Sequence, residues 1–119
     1  MTALHLAAKC GNFLATQILV EFYRQSVSLR KFELFINSID DGSWTPLVWA
    51  AEHGHSNIVS YLINLGADAN ICDTENNTVL HWAALSNTID TVLPLLQSNC
   101  DFNMQNINGD TPLLVFLIN

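Results

Sequence analysis

Three tryptophans and one glutamate stand out in this 119-residue chain, because side chains of these kinds at this spacing could bind a cation. Trp49 and Trp82 each follow a threonine by four residues, and Trp44 directly precedes the first of these threonines. Glu52 follows Trp49 by three residues, which places it on the same face of a helix. Indole faces attract cations, and a carboxylate accepts hydrogen bonds from a charged N–H group. Brought together, these side chains could bind an alkylated ammonium ion.

Methylated lysine is the protein side chain that carries an alkylated ammonium ion. Methyl groups make the ammonium ion larger and less hydrated, so we expect an aromatic cage to gain affinity from methylation. Mono- and dimethyl-lysine keep an N–H group that can donate a hydrogen bond to Glu52, whereas trimethyl-lysine has none. The residues predict a cage formed by Trp44, Trp49, Glu52 and Trp82 that prefers the lower methylation states. The alternative is that the tryptophans fill gaps between packed elements, as large aromatic side chains often do.

The remaining reactive side chains form no pattern typical of an enzyme or a metal site. The three cysteines make an odd number without a C-x-x-C pair, which favours free thiols in a reducing compartment. His53 and His55 lack partners at zinc-binding spacing, and no glycine-rich phosphate loop occurs. His5 and His81 each follow a threonine by three residues, where we expect the imidazole to bond local backbone. The sequence therefore predicts no catalytic residue, no metal and no cofactor.

The charge distribution favours a cationic partner. The chain has 4 Lys and Arg against 11 Asp and Glu, a net charge of −7, and every Lys and Arg lies within residues 1–31. Binding to a nucleic-acid backbone needs several basic contacts, so nucleic acid is excluded as a partner. An acidic surface instead attracts a Lys- and Arg-rich peptide. No apolar run of 18 residues occurs, so no membrane span is predicted.

Four segments of the chain repeat one another, and they must position the tryptophans. The segments begin at Thr2, Thr45, Thr78 and Thr111, at separations of 43, 33 and 33 residues. The first three segments continue with paired alanines, and a Gly-Ala-Asp-Ala-Asn stretch at 66–70 closes the second unit. This pattern resembles the ankyrin repeat. The resemblance implies an all-α solenoid of helix–turn–helix units with β-turn fingers, about three and a half repeats long.

The second unit illustrates why the pattern favours a helix pair. Thr45 is a good N-cap, and Pro46 suits the first helical position, where no N–H is needed. Leu47 and Ala50 recur at helical spacing on one apolar face, with alanine allowing close approach of a neighbouring helix. Trp49 lies about 200° around the helix from Leu47, so we expect it to face away from the core. No unit can bury its apolar stripe alone, so the units must stack.

The repeats define one domain over residues 1–119, expected to be a monomer. Its four units are predicted at 1–40, 41–73, 74–106 and, in part, 107–119. The first unit carries ten extra residues, which we place near 26–36, after a longer second helix at about 13–24. Pro94 falls within the second helix of the third unit and is expected to kink it or shift its start. Because neither end has a capping unit, we expect a piece of a longer array or of a larger protein.

A narrower resemblance lies in residues 40–53, which read D-D-G-S-W-T-P-L-V-W-A-A-E-H. This segment resembles the ankyrin domain of the euchromatic histone-lysine methyltransferases, and residues 73–77, 80–84 and 108–112 extend the similarity. The resemblance implies a non-catalytic nuclear domain that binds mono- and dimethylated lysine of the histone H3 tail.

The same resemblance implies the site residues. The family's cage positions correspond to Trp44, Trp49, Glu52 and Trp82, and its acidic finger positions, which contact an arginine of the tail, correspond to Asp73, Glu75 and Asp110. The competing hypothesis is a general ankyrin scaffold for an unrelated protein, with the tryptophans as binding hot spots.

Overall fold

Eight α-helices, arranged as repeated helix–turn–helix pairs, form the part of the chain that the structure, a computed structural model, describes: residues 1–98 and 100–118. The helices are α1 (Ala3–Cys10), α2 (Phe13–Ser26), α3 (Leu29–Ile36), α4 (Pro46–Glu52), α5 (Ser56–Asn64), α6 (Val79–Ser86), α7 (Ile89–Gln97) and α8 (Pro112–Ile118). The predicted all-α solenoid is therefore confirmed.

Two layers of helices run along the molecule. The first helices of the units, α1, α4, α6 and α8, pack in sequence against one another, and α2, α5 and α7 form the second layer. The molecule measures 43 × 24 × 23 Å along its principal axes. This elongation follows from the repeat, because each unit packs mainly against its neighbours.

The helix boundaries follow from the repeated polar residues. Thr2 and Thr45 each accept a hydrogen bond from the backbone N–H three residues later, at 3.3 Å, and so cap α1 and α4. After the first helix of each of the first three units the chain turns through a left-handed residue, with φ of 73° at Gly11, 74° at Gly54 and 57° at Asn87. Glycine adopts this conformation without steric cost, and asparagine tolerates it.

The core lies between the two layers. Leu4, Leu47 and Leu80 occupy equivalent positions in three units and are at most 4% exposed. The predicted alanine pairs are buried beside them, and Ile58, Val59 and Leu62 of α5 contribute the opposite side of the core. Small alanines at the helix contacts allow the stacked helices to approach closely.

Two histidines join adjacent units. As predicted, His5 bonds local backbone, its Nδ1 accepting from the Thr2 N–H at 3.1 Å, and His81 Nδ1 accepts from the Thr78 N–H at 3.0 Å. The other ring nitrogen reaches the next finger: His5 Nε2 lies 2.9 Å from the Trp44 carbonyl oxygen, and His81 Nε2 lies 2.8 Å from that of Asp110. Each imidazole therefore fixes a finger to the preceding helix.

The extra segment of the first unit contains an eight-residue helix, α3. Phe32 and Ile36 of α3 are buried, and Phe35 stacks on Tyr23 of α2 with ring centroids 4.0 Å apart. The helix α2 ends two residues beyond the predicted boundary. Helix α7 contains Pro94 and starts at Ile89, in the same register as Ser56 in α5. Of the two predicted effects of Pro94, the shifted start does not occur, and the kink stays a prediction.

None of the helices in the described ranges 1–98 and 100–118 has the length and apolar character needed to cross a membrane.

Removing the buried ring of α3 should destabilise the domain. Phe32 is 4% exposed, so Phe32→Ala should lower the free energy of unfolding by about 3 kcal/mol, through lost burial and the cavity left behind. Leu29 of the same helix is 74% exposed, so Leu29→Ala should change it by less than about 0.5 kcal/mol. Urea unfolding followed by circular dichroism measures both. Equal effects of the two substitutions would contradict the docking of α3.

Candidate functional site

The three tryptophan rings form one contiguous cluster between α4, α6 and the finger that precedes α4. The Trp44 ring centroid lies 4.5 Å from that of Trp49 and 4.6 Å from that of Trp82. The two pairs have interplanar angles of 58° and 55°. Aromatic pairs at such distances attract one another. Because Trp44 contacts both neighbours at an angle, the cluster presents adjoining ring faces rather than a flat stack.

All three indoles are half-buried. Each packs against the apolar core and also keeps part of its surface exposed. The prediction that Trp49 faces away from the core is therefore only partly correct, because its ring lies at the edge of the core. The alternative that the tryptophans fill gaps between units is also partly correct. The cluster is both a packing element and an exposed aromatic surface.

An aspartate from the preceding finger orients each tryptophan of a first helix. Trp49 Nε1 donates a hydrogen bond to Asp40 Oδ2 at 2.7 Å, and Trp82 Nε1 donates one to Asp73 Oδ2 at 2.9 Å. In both cases the aspartate precedes the tryptophan by nine residues. The two rings are therefore held in equivalent positions on adjacent units. Sequence reasoning missed this role, although the repeated nine-residue spacing was a signal for it.

The same two carboxylates also fold their fingers. Asp40 Oδ1 accepts the backbone N–H groups of Gly42 and Trp44, both at 3.0 Å. Asp73 Oδ1 accepts those of Glu75 and Asn77, both at 2.9 Å. A side chain that bonds the backbone two residues later forms a local turn, which stabilises the tip of the finger. In each unit one carboxylate thus accepts hydrogen bonds both from the finger backbone and from the indole.

The geometry gives Asp73 a role within the protein, and its predicted contact with a bound peptide stays a prediction. Asp73 is 7% exposed, and its two oxygens accept three hydrogen bonds from the protein itself. A carboxylate that is buried and already bonded in this way gains little from a further partner. Asp73 is therefore a residue that positions Trp82.

The other two predicted acidic residues lie on neighbouring fingers. Glu75 is exposed, and its carbonyl oxygen accepts the Ile107 N–H at 3.0 Å, which joins the two fingers. Asp110 is half-buried, and its backbone is fixed by Asn106 Oδ1 and His81 Nε2. Glu75 and Asp110 are thus carried on fingers that contact each other.

Glu52 is the last residue of α4 and pairs with His53, whose ring neighbours that of Trp49. Its Oε2 lies 2.7 Å from Nδ1 of His53, and the His53 ring centroid lies 5.8 Å from that of Trp49. The same Nδ1 lies 3.1 Å from the Trp49 carbonyl oxygen. Glu52 is about one-third exposed, so its carboxylate is reachable from solvent. The pairing with His53 was not apparent from the sequence, since it depends on the rotamers of adjacent side chains.

Hydrogen bonding keeps Asp40 ionised. Burial of this carboxylate opposes its charge, but hydrogen bonds from the Trp44 N–H, the Trp49 indole and the Gly42 N–H outweigh that effect. The pKa of Asp40 is consequently lowered below its ordinary value of 3.8. The ionised form is the one that holds the finger and the Trp49 ring together.

No group of three His, Cys, Asp or Glu side chains that could hold a metal ion occurs among residues 1–98 and 100–118. Cys10, Cys72 and Cys100 are all free thiols. Burial, together with the charges of Asp73 and Asp68, raises the pKa of the Cys72 thiol. A raised pKa disfavours the thiolate, which is the nucleophilic form.

Loss of the Asp73 carboxylate should release the Trp82 ring. Asp73→Ala should lower the free energy of unfolding by about 2–3 kcal/mol, because three donors lose a charged acceptor. The Trp82 indole N–H should also shift in NMR spectra. Asp41, which is exposed, supplies the control, since Asp41→Ala should change stability by less than about 0.5 kcal/mol. An unchanged indole N–H in Asp73→Ala would contradict the positioning role.

Acid should weaken the cluster through Asp40. Because its pKa is lowered in the folded protein, the stability that Asp40 contributes is complete above its unfolded pKa of about 3.9 and is lost as the pH falls through the folded value. The difference in unfolding free energy between wild type and Asp40→Asn should stay constant from about pH 7 to 5 and shrink below about pH 4. Urea unfolding at several pH values measures it. A difference that is the same at pH 3 and pH 7 would contradict the lowered pKa.

Comparison with known proteins gives a family match that agrees with this repeat structure. The profile of the family described as ankyrin repeats (3 copies) matches residues 1–71 and 24–106. Neurogenic locus notch homolog protein 1 of Xenopus laevis is 33% identical over 114 residues, which is 96% of this chain and 4% of that protein. The Xenopus tropicalis protein of the same name is 41% identical over 75 residues, 63% of this chain and 3% of that protein.

A further relative has a different name. Palmitoyltransferase ZDHHC17 of Danio rerio is 39% identical over 71 residues, which is 58% of this chain and 12% of that protein. The chain thus spans only a small fraction of the length of each of these relatives. What they share with it is the repeat region, which in ankyrin proteins binds protein partners and is generally non-catalytic. Its period, its helix pairs and this match together place the chain in the ankyrin-repeat family.

Proposed function

We propose that this protein is a non-catalytic reader of methylated lysine. It binds mono- and dimethyl-lysine of the histone H3 tail through a cage formed by Trp44, Trp49, Trp82 and Glu52. The observation that supports this most strongly is the half-buried cluster of three indoles, with the partly exposed carboxylate of Glu52 on the same helix as Trp49. The resemblance of residues 40–53 to the euchromatic histone-lysine methyltransferases supplies the identity of the ligand.

The geometry of the rings suits an alkylated ammonium ion. The tilted rings are in contact with one another at 55–58°, so a cation can bind only on the part of their surface that stays exposed. The aspartates already orient Trp49 and Trp82, so little side-chain entropy is lost on binding. Glu52 can accept the remaining N–H of mono- or dimethyl-lysine as a charge-assisted hydrogen bond. This contact is the source of the preference for lower methylation states.

The surrounding charge suits a basic peptide. The chain has a net charge of −7; Glu75 lies on the finger whose Asp73 bonds Trp82, and Asp110 is bonded to His81, the neighbour of Trp82 in α6. We assign Glu75 and Asp110 to the arginine of the tail. An extended peptide immobilises many rotors, so we expect affinity in the micromolar range, about −8 kcal/mol. Such a ligand implies a nuclear, chromatin-associated protein.

A second candidate function is a general ankyrin scaffold that binds an unrelated protein. The half-burial of all three rings favours it, because packing between units already explains much of the cluster. In that case the exposed indole edges are hot spots of a protein interface and have no methyl preference.

Peptide titration distinguishes the two candidates. H3 tail peptides carrying unmodified, mono-, di- and trimethylated lysine are titrated into the protein, with tryptophan fluorescence as the signal. The reader hypothesis predicts at least about tenfold tighter binding of the dimethyl than of the unmodified peptide, which corresponds to about 1.4 kcal/mol. Trp82→Leu should remove this difference while the helical circular dichroism remains. Leu93→Ala, on the exposed face of α7, is the matched control and should keep the difference.

Glu52→Gln tests the hydrogen bond separately. It should reduce the ratio between dimethyl and trimethyl affinities, because an amide oxygen is a weaker acceptor for a charged N–H than a carboxylate. Equal affinity of the wild-type protein for unmodified and dimethyl peptides would overturn the reader hypothesis. The general ankyrin scaffold would then be the remaining candidate function.

A further inference from the structure

The aromatic cluster already has a cation beside it, supplied by the protein itself. The ammonium nitrogen Nζ of Lys9 lies over the Trp49 ring, 5.1 Å from its centroid. This distance is within the range of a cation–π interaction. Lys9 belongs to the last turn of α1 and is half-buried. A lysine is the unmethylated form of the group proposed as the ligand of the same ring.

The repeat explains how Lys9 reaches this position. Lys9 follows Thr2 by seven residues, as Glu52 follows Thr45, so the two side chains occupy the same position in adjacent units. Helix α1 packs directly against α4, which carries Trp49. Lys9 is also the only Lys or Arg in the sequences of α1, α4, α6 and α8. It is therefore the one permanent side-chain cation that these first helices carry.

The backbone at Lys9 is held in place by the second unit. His55 Nε2 lies 3.0 Å from the Lys9 carbonyl oxygen. A side chain at Gly11 would place its Cβ 2.5 Å from the His55 ring, so glycine is required for this close approach. The end of α1 is thus fixed against the turn between α4 and α5. The backbone of Lys9 is therefore fixed close to Trp49, and contact of its ammonium group with the ring costs only the conformational entropy of the Lys9 side chain.

No carboxylate of residues 1–98 and 100–118 forms an ion pair with Lys9, although the chain is strongly acidic. In this part of the molecule, the Trp49 ring is the partner that its ammonium group contacts. A ligand cation that needs the same ring face has to displace that ammonium group or bind against its charge.

We propose that Lys9 is an internal competitor for the aromatic cluster, and that an incoming alkylated ammonium ion binds only after displacing its side chain. The ligand class rests on the proposed function. Displacement opposes every cationic ligand to the same extent. Lys9 therefore sets how tightly the cluster binds, whereas Glu52 and the number of methyl groups set which ligand it prefers. Removing the charge of Lys9 should open the cluster.

Tetramethylammonium chloride and the dimethyl-lysine H3 peptide serve as separate probes. Lys9→Gln should bind both about three- to tenfold more tightly than wild type, since one exposed cation–π contact no longer competes. The ratio of dimethyl to monomethyl affinity should stay the same. Lys9→Arg keeps a cation and should resemble wild type. Lys31→Gln changes the other lysine, on α3, and should leave the affinity for tetramethylammonium unchanged.

NMR of the free protein tests the contact without any ligand. Only two lysines are present, so the ε-methylene signals of Lys9 and Lys31 are readily assigned. The Lys9 signal should lie upfield of the Lys31 signal because of the Trp49 ring current. Adding tetramethylammonium should return it to the Lys31 value.

The outcomes separate the two proposals. An unshifted Lys9 signal in the free protein would overturn the internal competitor. So would equal affinity of Lys9→Gln and wild type for tetramethylammonium. If tetramethylammonium binds more tightly to Lys9→Gln while no variant distinguishes methylated from unmodified peptides, the competitor stands and the histone ligand is rejected.

Discussion

The hydrogen bond between a finger aspartate and the indole N–H of the following helix is the interaction on which the candidate site depends. It appears twice, from Trp49 to Asp40 and from Trp82 to Asp73. A half-buried indole without an acceptor would lose a hydrogen bond on folding, and its ring would be held by packing alone. The same carboxylates close the fingers, one of which carries Trp44. The carboxylates of Asp40 and Asp73 therefore set both the orientation of the rings and the shape of the fingers.

The site exists only because the units stack. Trp44 comes from a finger, Trp49 from α4, Trp82 from α6, and the cation over Trp49 from α1. No single unit holds more than part of this arrangement. In a solenoid, stability is a sum of unit and neighbour contacts, so the contacts among these rings also join the second unit to the third. A ligand that binds across the rings would favour the stacked state over any state with separated units.

The sequence predicted the repeating part of the fold well, because its signals are local. Threonine caps and left-handed glycines act within one turn, and they recur with the period. The helix α3 was not predicted, since it interrupts the period and is stabilised by burial of Phe32 and Ile36 against the rest of the domain. Periodicity cannot reveal a contact that occurs once.

The same distinction applies to the site. Shared register was enough to group Trp49 with Trp82, and proximity to Trp44 followed from the finger. The role of Asp73 in holding Trp82 was missed, because the resemblance assigned this residue only a contact with the peptide, whereas its second oxygen accepts a hydrogen bond from the half-buried indole. The contact of Lys9 with Trp49 depends on two side-chain rotamers from different units. Pairwise geometry of this kind is fixed by packing and not by spacing along the chain.

The three rings pack between units and also face solvent, and this limits the binding free energy that a ligand can gain from them. Part of each indole surface is already buried against the core, and the Trp44 ring is further covered by its contacts with Trp49 and Trp82. The surface left for binding is therefore small but rigid, and a rigid surface loses little entropy when it is occupied. A small cation with an alkyl shell uses such a surface better than a large apolar group, since attraction to ring faces needs orientation more than area. The packing that makes the cluster structural is thus also what suits it to charged ligands.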